Sequence, residues 1–575
     1  MLLLAEWDLT LVALAGALIV CNPRLLRWAG RLFRVALIAT VTAQLYLYTL
    51  DAVSNASWGR NINAHVVGAF APTIWSGREA FPVGPRGITA FALGIVVIVG
   101  LTVWRATRPI DPSLAAWFDD SSTAPGWRWR SSVVTAAVIL LAVTGATLRS
   151  GVANRDDLFW KDELIASFFR PVGFAFEPTE RRAAAAARDD VVRASYPHHV
   201  PGARRKNVVL IIVDSLRADR MQVYGYSRPT TPFLSALVQS GSMKKVGAAF
   251  STCSESLCGI TSTLASREFP DISARTYDLQ DVLRDEGYQT WFLLSGNHTS
   301  WNGLPQFYRA SDGTLFDGSQ TERYSMDDDR VVLEGLERVP PASPASPAFF
   351  YVHLMSPHYL GVQFAESHVF TQPNDRVSPG LEPYKILEKL NKPDRYDDKV
   401  RQADGIIRDV FNGLAAKHYL DDAVVVVTGD HGEGLGERHW AHGWDLHNED
   451  IQIPLLIYDQ PPASYPDLTF GAQVDIAPTI LDRLGLPIPE SWDGESLGAP
   501  SATRFTYHQT YFIPNRFAVL YRDHERLFKF IATPQYGQEE LYDLRRDAGE
   551  VRNLVAEDTE LAALLRDKVR RYLAQ

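Results

Sequence analysis

Acidic and imidazole side chains stand at the ends of two apolar runs in this sequence. Asp214 ends the run NVVLIIVD (207–214), and Asp430 ends AVVVVTGD (423–430) and is followed by His431. Two carboxylates and an imidazole suit Zn²⁺ or Mn²⁺, with Ca²⁺ and Mg²⁺ as the oxygen-preferring alternatives. Further imidazoles are available at His353, His358, His439, His442 and His447. The pattern therefore predicts a site for a divalent metal.

A hydroxyl-rich stretch, FSTCSESLCGITSTLASR (250–267), lies between the two acids. We expect a helix to begin within 259–267, and a hydroxyl at a helix N-terminus faces the positive end of the dipole and free N–H groups. Beside a divalent metal, such a hydroxyl has a lowered pKa and acts as a nucleophile. The alternative is an ordinary Ser/Thr-rich capping loop. Cys253 and Cys258 are either a disulfide that rigidifies this stretch or two small buried thiols.

The elements that must position these residues alternate between apolar strands and helices. Besides the two runs above, strands are predicted at 289–294, 348–355 and 453–459, and helices at 231–240, 394–416 and 474–485. Continuous apolar runs are typical of strands buried on both faces of a parallel sheet. The expected fold is therefore an α/β domain with a mostly parallel sheet flanked by helices, and with its ligands beyond the carboxyl ends of the strands.

The ends of the chain differ from this central part. Four apolar segments near the length of a bilayer span precede it, at 9–21, 35–50, 88–104 and 132–148. Arginine-rich loops at 22–34 and 105–131 are expected on the cytoplasmic side, which places the rest of the chain outside. A hairpin at 516–531 and a terminal helix at 557–573 predict a small α+β subdomain.

These patterns divide the chain into four parts. They are a transmembrane domain of about four helices (1–150), a linker with an interfacial helix at 162–176 (151–205), a catalytic domain (206–500) and a C-terminal subdomain (501–575). The 575 residues carry 57 basic and 67 acidic side chains, a net charge of −10, which argues against a nucleic-acid partner. Three cysteines are too few for a disulfide scaffold.

Five stretches of the sequence resemble the sulfatase and alkaline phosphatase superfamily. The narrower resemblance is to its membrane-anchored sulfatase-like members, which include the phosphoethanolamine and phosphoglycerol transferases of bacterial envelopes. The stretches are VVLIIVDSLRADRMQVYGYSRPTTPFLSAL (208–237), HLMSPH (353–358), VVVVTGDHGEGLGERHWAHGWDLHNEDIQIPLLIY (424–458), VDIAPTILDRLGLPIPESWDGESL (474–497) and ELYDLRRDAGEVRNL (540–554). The resemblance implies a parallel-sheet core, a bound divalent metal and reaction at a phosphate or sulfate ester.

The resemblance also implies roles for individual residues. Asp214 matches the family's first metal acid, and Asp430 with His431 matches its Asp-His metal pair. His442 matches the later histidine of the H-G motif, a metal ligand and catalytic group. His358, and less closely His353, match histidines that contact substrate or a second metal. Outside the resemblance, His298 follows a predicted strand end and is either a substrate contact or a residue that stabilises its loop.

The family's spacing identifies a candidate nucleophile. Sulfatases place it ten residues before a small residue that closes an L-x-G-like turn, and residues 264–266 fit that turn. Counting back gives Ser256, both nucleophile and metal ligand, with Gly259 where the family prefers a small residue. The alternatives are Ser254, Thr252 and Thr261.

Two departures favour the transferase branch over the sulfatases. Residues 256–260 read SLCGI and lack the Pro and Arg of the sulfatase maturation motif, so conversion to formylglycine is not expected. Ser215 stands where many sulfatases carry a second metal-binding Asp. With a hydroxyl nucleophile and a metal, the natural reaction is in-line attack on phosphorus through a phospho-enzyme.

The sequence therefore predicts an integral, multi-pass enzyme of the inner or plasma membrane with its catalytic domain on the periplasmic or extracellular side. It would move a phospho-group of phosphoethanolamine or phosphoglycerol type from a membrane lipid to an envelope glycan or lipid. A second hypothesis is a sulfatase-like hydrolase of a sulfate ester or phosphodiester. A third is a catalytically silent regulatory protein of the envelope, against which the complete set of candidate ligands and hydroxyl argues.

Overall fold

The computed structural model of the chain describes residues 179–574, except 300–303, 309–313, 344–345, 372–390, 444, 511–515 and 524, together with four isolated positions at 42, 94, 97 and 101. The chain divides into two compact units, one of residues 1–173 and 378–384 and the other of residues 174–377 and 385–575. The four predicted membrane spans and the interfacial helix lie outside the described residues. Among the helices that are described, none combines the length and the apolar character needed to cross a bilayer.

The described residues form ten α-helices, numbered in chain order. They are α1 (Glu180–Ser195), α2 (Pro232–Gln239), α3 (Ser256–Ala265), α4 (Leu279–Asp285), α5 (Leu304–Tyr308), α6 (Arg330–Glu337), α7 (Pro393–Ala416), α8 (Asn448–Ile451), α9 (Ile476–Leu484) and α10 (Thr559–Leu573).

The same residues form sixteen strands. They are β1 (Asn207–Val213), β2 (Met243–Lys245), β3 (Ala248–Phe250), β4 (Gln289–Leu294), β5 (Thr314–Asp317), β6 (Ala348–Leu354), β7 (Ala423–Gly429), β8 (Gly434–Leu435), β9 (Trp440–Ala441), β10 (Gln452–Ile453), β11 (Leu455–Gln460), β12 (Phe470–Ala472), β13 (Arg504–Gln509), β14 (Phe517–Arg522), β15 (Leu527–Thr533) and β16 (Gln538–Asp543).

The central sheet has seven strands in the order β2-β11-β7-β1-β6-β4-β5. Neighbours from β7 to β5 run parallel, whereas β11 pairs antiparallel with both β7 and β2. The prediction of an α/β fold with a mostly parallel sheet is therefore confirmed. The predicted strand at 453–459 is interrupted at Pro454, between β10 and β11.

Helices cover both faces of this sheet, which explains why its strands are apolar throughout. We call the two sides the α3 face and the α7 face. On the α3 face, Val208, Leu210 and Ile212 of β1 share a buried cluster with residues of α3, α4 and α9. On the α7 face, Val209 and Ile211 share a second cluster with residues of α6 and α7. The alternation of side chains along β1 thus decides which helix layer each residue meets.

A second, antiparallel sheet follows the α/β part in the order β13-β14-β15-β16. Its one face packs against α10 through Leu561, Leu565 and Val569. Its other face buries Leu520 and Ile531 in a cluster with Phe250 and Leu446 of the preceding part. The predicted strands of the 516–531 hairpin correspond to β14 and β15, and the predicted terminal helix to α10.

Helix α1 is attached to the α/β part by ion pairs around the end of α3. Asp189 Oδ1 accepts a 2.8 Å hydrogen bond from Arg267 Nη2, and both side chains are 0% exposed. Arg181 Nε lies 2.7 Å from Asp271 Oδ1. Because Arg267 follows the left-handed residue that ends α3, α1 is fixed to the helix that carries the hydroxyl-rich stretch.

Candidate active site

Three neighbouring strands bring acidic and imidazole side chains to the α3 face. His353 lies on β6 and pairs with Ile212 of β1, which also pairs with Thr428 of β7. Paired residues of parallel strands point to the same face, and so do residues two positions apart. Asp214 and Asp430 each follow by two residues a side chain of this face. Asp214, His353 and Asp430 accordingly offer one ligand atom each within 4.8 Å of one another.

Helix α3 covers this face and begins at Ser256, so the prediction that the helix begins within 259–267 is wrong by three residues. The reason is the side chain of Glu255, whose Oε1 accepts a 3.0 Å hydrogen bond from the backbone N–H of Cys258. A carboxylate at this position satisfies a free N–H group and also interacts favourably with the helix dipole. The earlier start places Ser256 itself in the first turn.

Two features hold the first turn of α3 against the strand ends. A Cβ built on Gly259 would lie 2.3 Å from the carbonyl oxygen of Asp430, so only glycine permits this approach. Cys253 and Cys258 form a disulfide across the start of the helix, which settles the open alternative in favour of pairing. Glu255 and these two sulfurs are close enough to hold a metal, but the disulfide leaves no thiolate to do so.

Ser256 is the hydroxyl that meets the acidic site. Its Oγ lies 3.0 Å from His431 Nε2 and 3.4 Å from Asp214 Oδ2. His431 Nδ1 donates a 2.7 Å hydrogen bond to the Gly432 carbonyl, so in the neutral ring Nε2 is the nitrogen with the lone pair. The first turn of α3 therefore places a buried hydroxyl beside an unprotonated imidazole nitrogen, the form that can bind a metal.

The three alternative hydroxyls make other contacts. Thr261 Oγ1 donates to the Leu257 carbonyl within α3 at 2.7 Å, and Thr252 Oγ1 donates to Gln473 Oε1 at 3.2 Å. Ser254 Oγ is buried and has no hydrogen-bond partner among the described residues. None of these contacts is with the acids of the site.

The two carboxylates are arranged as cation ligands. Asp430 Oδ1 accepts the backbone N–H groups of Ser215 and His431 at 2.9 and 2.8 Å. Asp430 Oδ2 is buried and accepts no hydrogen bond of ordinary geometry from the described residues. Burial raises the pKa of Asp430 to about 7, and burial together with the Asp430 charge raises the pKa of Asp214 well above its usual range. A bound cation would remove this penalty for two adjacent buried carboxylates.

The spacing of the site atoms fits a metal shell. His431 Nε2 lies 3.5 Å from Asp430 Oδ2 and 3.7 Å from Asp214 Oδ1, and the contacts of Ser256 are 3.0 and 3.4 Å. Ligands of a tetrahedral Zn²⁺ at about 2.0–2.1 Å are about 3.3 Å from one another. The donor set, the unpaired oxygen of Asp430 and these separations therefore all fit a divalent cation.

Two of the predicted histidines, His298 and His353, lie next to each other. The rings of His298 and His353 are edge to face, 4.6 Å apart. His298 uses both nitrogens internally, since Nε2 donates to the Ser295 carbonyl at 2.9 Å and Nδ1 accepts from the Tyr308 hydroxyl at 3.2 Å. His353 is 1% exposed, and neither of its nitrogens makes a hydrogen bond of ordinary geometry, although the nearby Ser295 carbonyl favours its protonated form. Of its two sequence interpretations, His298 therefore fits the loop-stabilising one.

The other two histidines, His442 and His358, lie beside His431. His442 lies over His431, with ring centroids 4.2 Å apart, and His358 lies 5.3 Å from His442. His358 Nδ1 accepts the backbone N–H of Leu360 at 3.2 Å, so Nε2 carries the proton of its neutral ring. His442 has the opposite tautomer, because its Nδ1 donates to Glu433 Oε2 at 3.0 Å. The pair thus combines a donor nitrogen with an acceptor nitrogen.

Sequence analysis did not single out Glu433 or Lys399, which support these histidines. Burial raises the pKa of Glu433 to about 7. Lys399, on α7, donates from Nζ to the His358 carbonyl at 2.7 Å and is 1% exposed. The glutamate was visible as the fourth residue of the DHGE motif, but the lysine gives no local signal because its partner is 41 residues away.

Comparison with known proteins gives the following relations. Residues 206–486 match the sulfatase family model. Phosphoethanolamine transferase EptC of Escherichia coli (strain K12) is 27% identical over 270 residues, 45% of this chain and 45% of the relative. Lipoteichoic acid synthase 1 of Bacillus subtilis (strain 168) is 24% identical over 314 residues, 49% of this chain and 46% of the relative. The chain spans less than half the length of these curated relatives.

A solved structure is also similar to this chain. It is the C-terminal periplasmic domain of EcEptC from Escherichia coli in complex with Zn, at 19% sequence identity and a TM-score of 0.46, covering 56% of this chain and 94% of that one.

Proposed function

We propose that residues 206–486, which form a domain of the sulfatase family, catalyse metal-dependent transfer of a phospho-group from a membrane phospholipid to an envelope glycan or lipid. The observation that carries this proposal is the position of Ser256, whose Oγ lies 3.0 Å from His431 Nε2 and 3.4 Å from Asp214 Oδ2. A relative named as a phosphoethanolamine transferase supports phosphoethanolamine as the transferred group, with phosphoglycerol as the second candidate.

The residues that would hold the cation are Asp214, Asp430, His431 and Ser256, with His442 beside them. Zn²⁺ and Mn²⁺ suit this set of carboxylate, imidazole and hydroxyl donors best. When bound, the cation would lower the pKa of the Ser256 hydroxyl and stabilise negative charge on the phosphate.

The chain's own residues would act in two steps. In the first, Ser256 Oγ loses its proton to water and bonds to phosphorus, the bond from phosphorus to the lipid oxygen breaks, and that oxygen takes up a proton from water. The neutral His358 suits a hydrogen bond to that oxygen, since its Nε2 carries the one proton of the ring. In the second step, an acceptor hydroxyl displaces Ser256, and the acceptor nitrogen of His442 suits uptake of its proton.

The donor lipid would reach the site from the bilayer to which the N-terminal part of the chain is proposed to anchor it. The proposed location is the inner or plasma membrane, with the catalytic domain on the periplasmic or extracellular side. Both proposals rest on the apolar segments of residues 1–150 and on the arginines between them.

The test is a transfer assay with the purified full chain and vesicles of phosphatidylethanolamine or phosphatidylglycerol. We expect diacylglycerol release with an equal gain of phospho-group mass on an added envelope fraction, and neither product with Ser256→Ala. Release of the head group to water alone would identify a phosphodiester hydrolase instead. Turnover of an aryl sulfate without diacylglycerol release would identify a sulfatase, and no turnover of any of these would contradict an enzymatic role.

A further inference from the structure

We propose that His353 is a direct ligand of the divalent cation held by Asp214 and Asp430, and not a substrate contact. The inference rests on the metal-dependent function proposed above and adds a residue to its ligand set. The sequence resemblance matched His353, less closely than His358, to histidines that contact substrate or a second metal, whereas its position in the sheet is beside the acids of the first metal.

The sheet places His353 beside Asp214 and Asp430. It lies on β6 directly beside Ile212 of β1, two residues before Asp214, with its side chain on the α3 face. One of its ring nitrogens lies within 4.8 Å of a carboxylate oxygen of both Asp214 and Asp430. A cation bound by the two acids would therefore lie within reach of that nitrogen.

The burial of His353 argues against a substrate role. The residue is 1% exposed, compared with 7% for His358, and α3 covers its face of the sheet. A phosphate ester would therefore have little access to His353, whereas a small ion held by the adjacent acids could contact it.

The lack of polar partners argues for a ligand. Neither ring nitrogen of His353 makes a hydrogen bond of ordinary geometry with the described residues. A buried imidazole without partners is costly, since its desolvation is not compensated.

His298, which packs against His353, differs from it in the hydrogen bonds of its ring nitrogens. Both of its nitrogens are engaged, with the Ser295 carbonyl and the Tyr308 hydroxyl, and its ring packs edge to face against His353. Of these two buried imidazoles, only His353 lies in the group of ligand atoms with the acids. His298 therefore fixes the ring orientation of His353, as groups outside a metal shell commonly do.

Zinc binding by the full chain tests the assignment without reference to turnover. Zn²⁺ alone is added to metal-free wild type, His353→Gln, His353→Asn and His298→Asn, and the zinc content per chain is measured together with the imidazoles per zinc from X-ray absorption. We expect at least two imidazole ligands per wild-type chain, from His353 and His431. The number should fall by one in both His353 variants and stay unchanged in His298→Asn.

Zinc affinity, measured by competition with a chromophoric chelator, should fall at least about 100-fold in the His353 variants, because even loss of a group outside the shell costs about 10–100-fold. Circular dichroism of the metal-free proteins checks that the variants fold. If they do not, the count in His442→Asn decides, since two imidazoles per zinc in that variant would come from His353 and His431, and one would overturn the assignment. Unchanged zinc affinity in a folded His353 variant would overturn it as well. No zinc binding by wild type would instead refute the metal-dependent function itself.

Discussion

Gly259 packs directly on the backbone of Asp430. A Cβ on Gly259 would lie 2.3 Å from the Asp430 carbonyl oxygen and 2.8 Å from its carbonyl carbon. The residue therefore sets the distance between the helix that carries Ser256 and the strand end that carries the acid. Ser256 and Asp430 are held together by a backbone contact that tolerates no side chain.

Replacement of Gly259 by alanine should consequently move Ser256 away from Asp430. We expect Gly259→Ala to lower the free energy of unfolding by about 1–3 kcal/mol, the usual range for overpacking, and to reduce kcat much more than substrate affinity. The matched control is Gly405→Ala, in α7, where an added Cβ has no atom within 4 Å. That variant should be stabilised by up to about 1 kcal/mol, because alanine favours the helix. Equal kcat in both variants would contradict the role of this contact.

Ser256→Ala should reduce turnover by several orders of magnitude while metal still binds, because no other hydroxyl among the described residues contacts both Asp214 and His431. In the wild type, rapid acid quenching followed by peptide mass mapping should find the phospho-group on Ser256. Ser254→Ala and Thr261→Ala serve as controls and should turn over. Added mass on either of those residues would show that the nucleophile had been assigned to the wrong hydroxyl.

Asp430→Asn should abolish metal binding at micromolar Zn²⁺ and with it activity, since Oδ2 accepts no hydrogen bond of ordinary geometry from the described residues and would lose its charge. The fold should persist, because an amide oxygen can still accept the backbone N–H groups of Ser215 and His431. Calorimetric titration with Zn²⁺ measures the loss. Asp409→Asn, at a partly exposed position of α7, should bind zinc as wild type does.

Reduction of the Cys253–Cys258 disulfide should loosen the first turn of α3. For so short a loop, chain entropy predicts a loss of about 2 kcal/mol in the free energy of unfolding. We expect dithiothreitol to lower kcat in wild type and to have no effect on a Cys253→Ser/Cys258→Ser variant, which should already show the lower rate. A reduced wild type that is as active and as stable as the oxidised one would exclude a supporting role for the disulfide.

Stability should depend on pH through His447, which joins the loop after β9 to the C-terminal sheet. Burial opposes its charge, but hydrogen bonds to Asp445 (2.8 Å) and Glu540 (2.9 Å) outweigh burial and raise the pKa of His447 to about 9. The pKa is raised above the unfolded value of about 6.5, so this stabilisation is complete below pH ~6.5 and is lost as pH rises through about 9.

Thermal unfolding at several pH values checks this sign. The difference in Tm between wild type and His447→Gln should be largest near pH 6 and should shrink towards pH 9.5. His418→Gln, whose native side chain is 74% exposed, should show no such trend. A difference that grows with pH would mean that His447 is neutral in the folded protein.

The main strands could be predicted because burial on both faces leaves a continuous apolar run. Such runs predicted β1, β4, β6 and β7 with ends within one residue. The predicted start of α3 differs from the observed one because the cap is Glu255, which is not among the usual capping residue types.

In the candidate site, the residues next to strand ends were accessible to sequence reasoning, and those fixed by distant contacts were not. Asp214, Asp430 and His431 follow directly from the strand pattern. The alternation along β6 also predicts the face on which His353 lies. His353 is an even number of residues from Phe349 and Tyr351, which belong to the same cluster as α3. The salt bridges of α1 and the bond from Lys399 to His358 depend on chain folding that no local pattern records.

The pairing of Asp189 with Arg267 determines where the chain can be shortened for expression. A fragment that starts at residue 206, at the first strand, would lack α1 and with it Asp189, the partner of the Arg267 guanidinium in this buried ion pair. Loss of one partner of a buried ion pair costs about 3–5 kcal/mol, a large part of a typical domain's stability. A truncated enzyme should therefore begin no later than Thr179, whose hydroxyl caps α1.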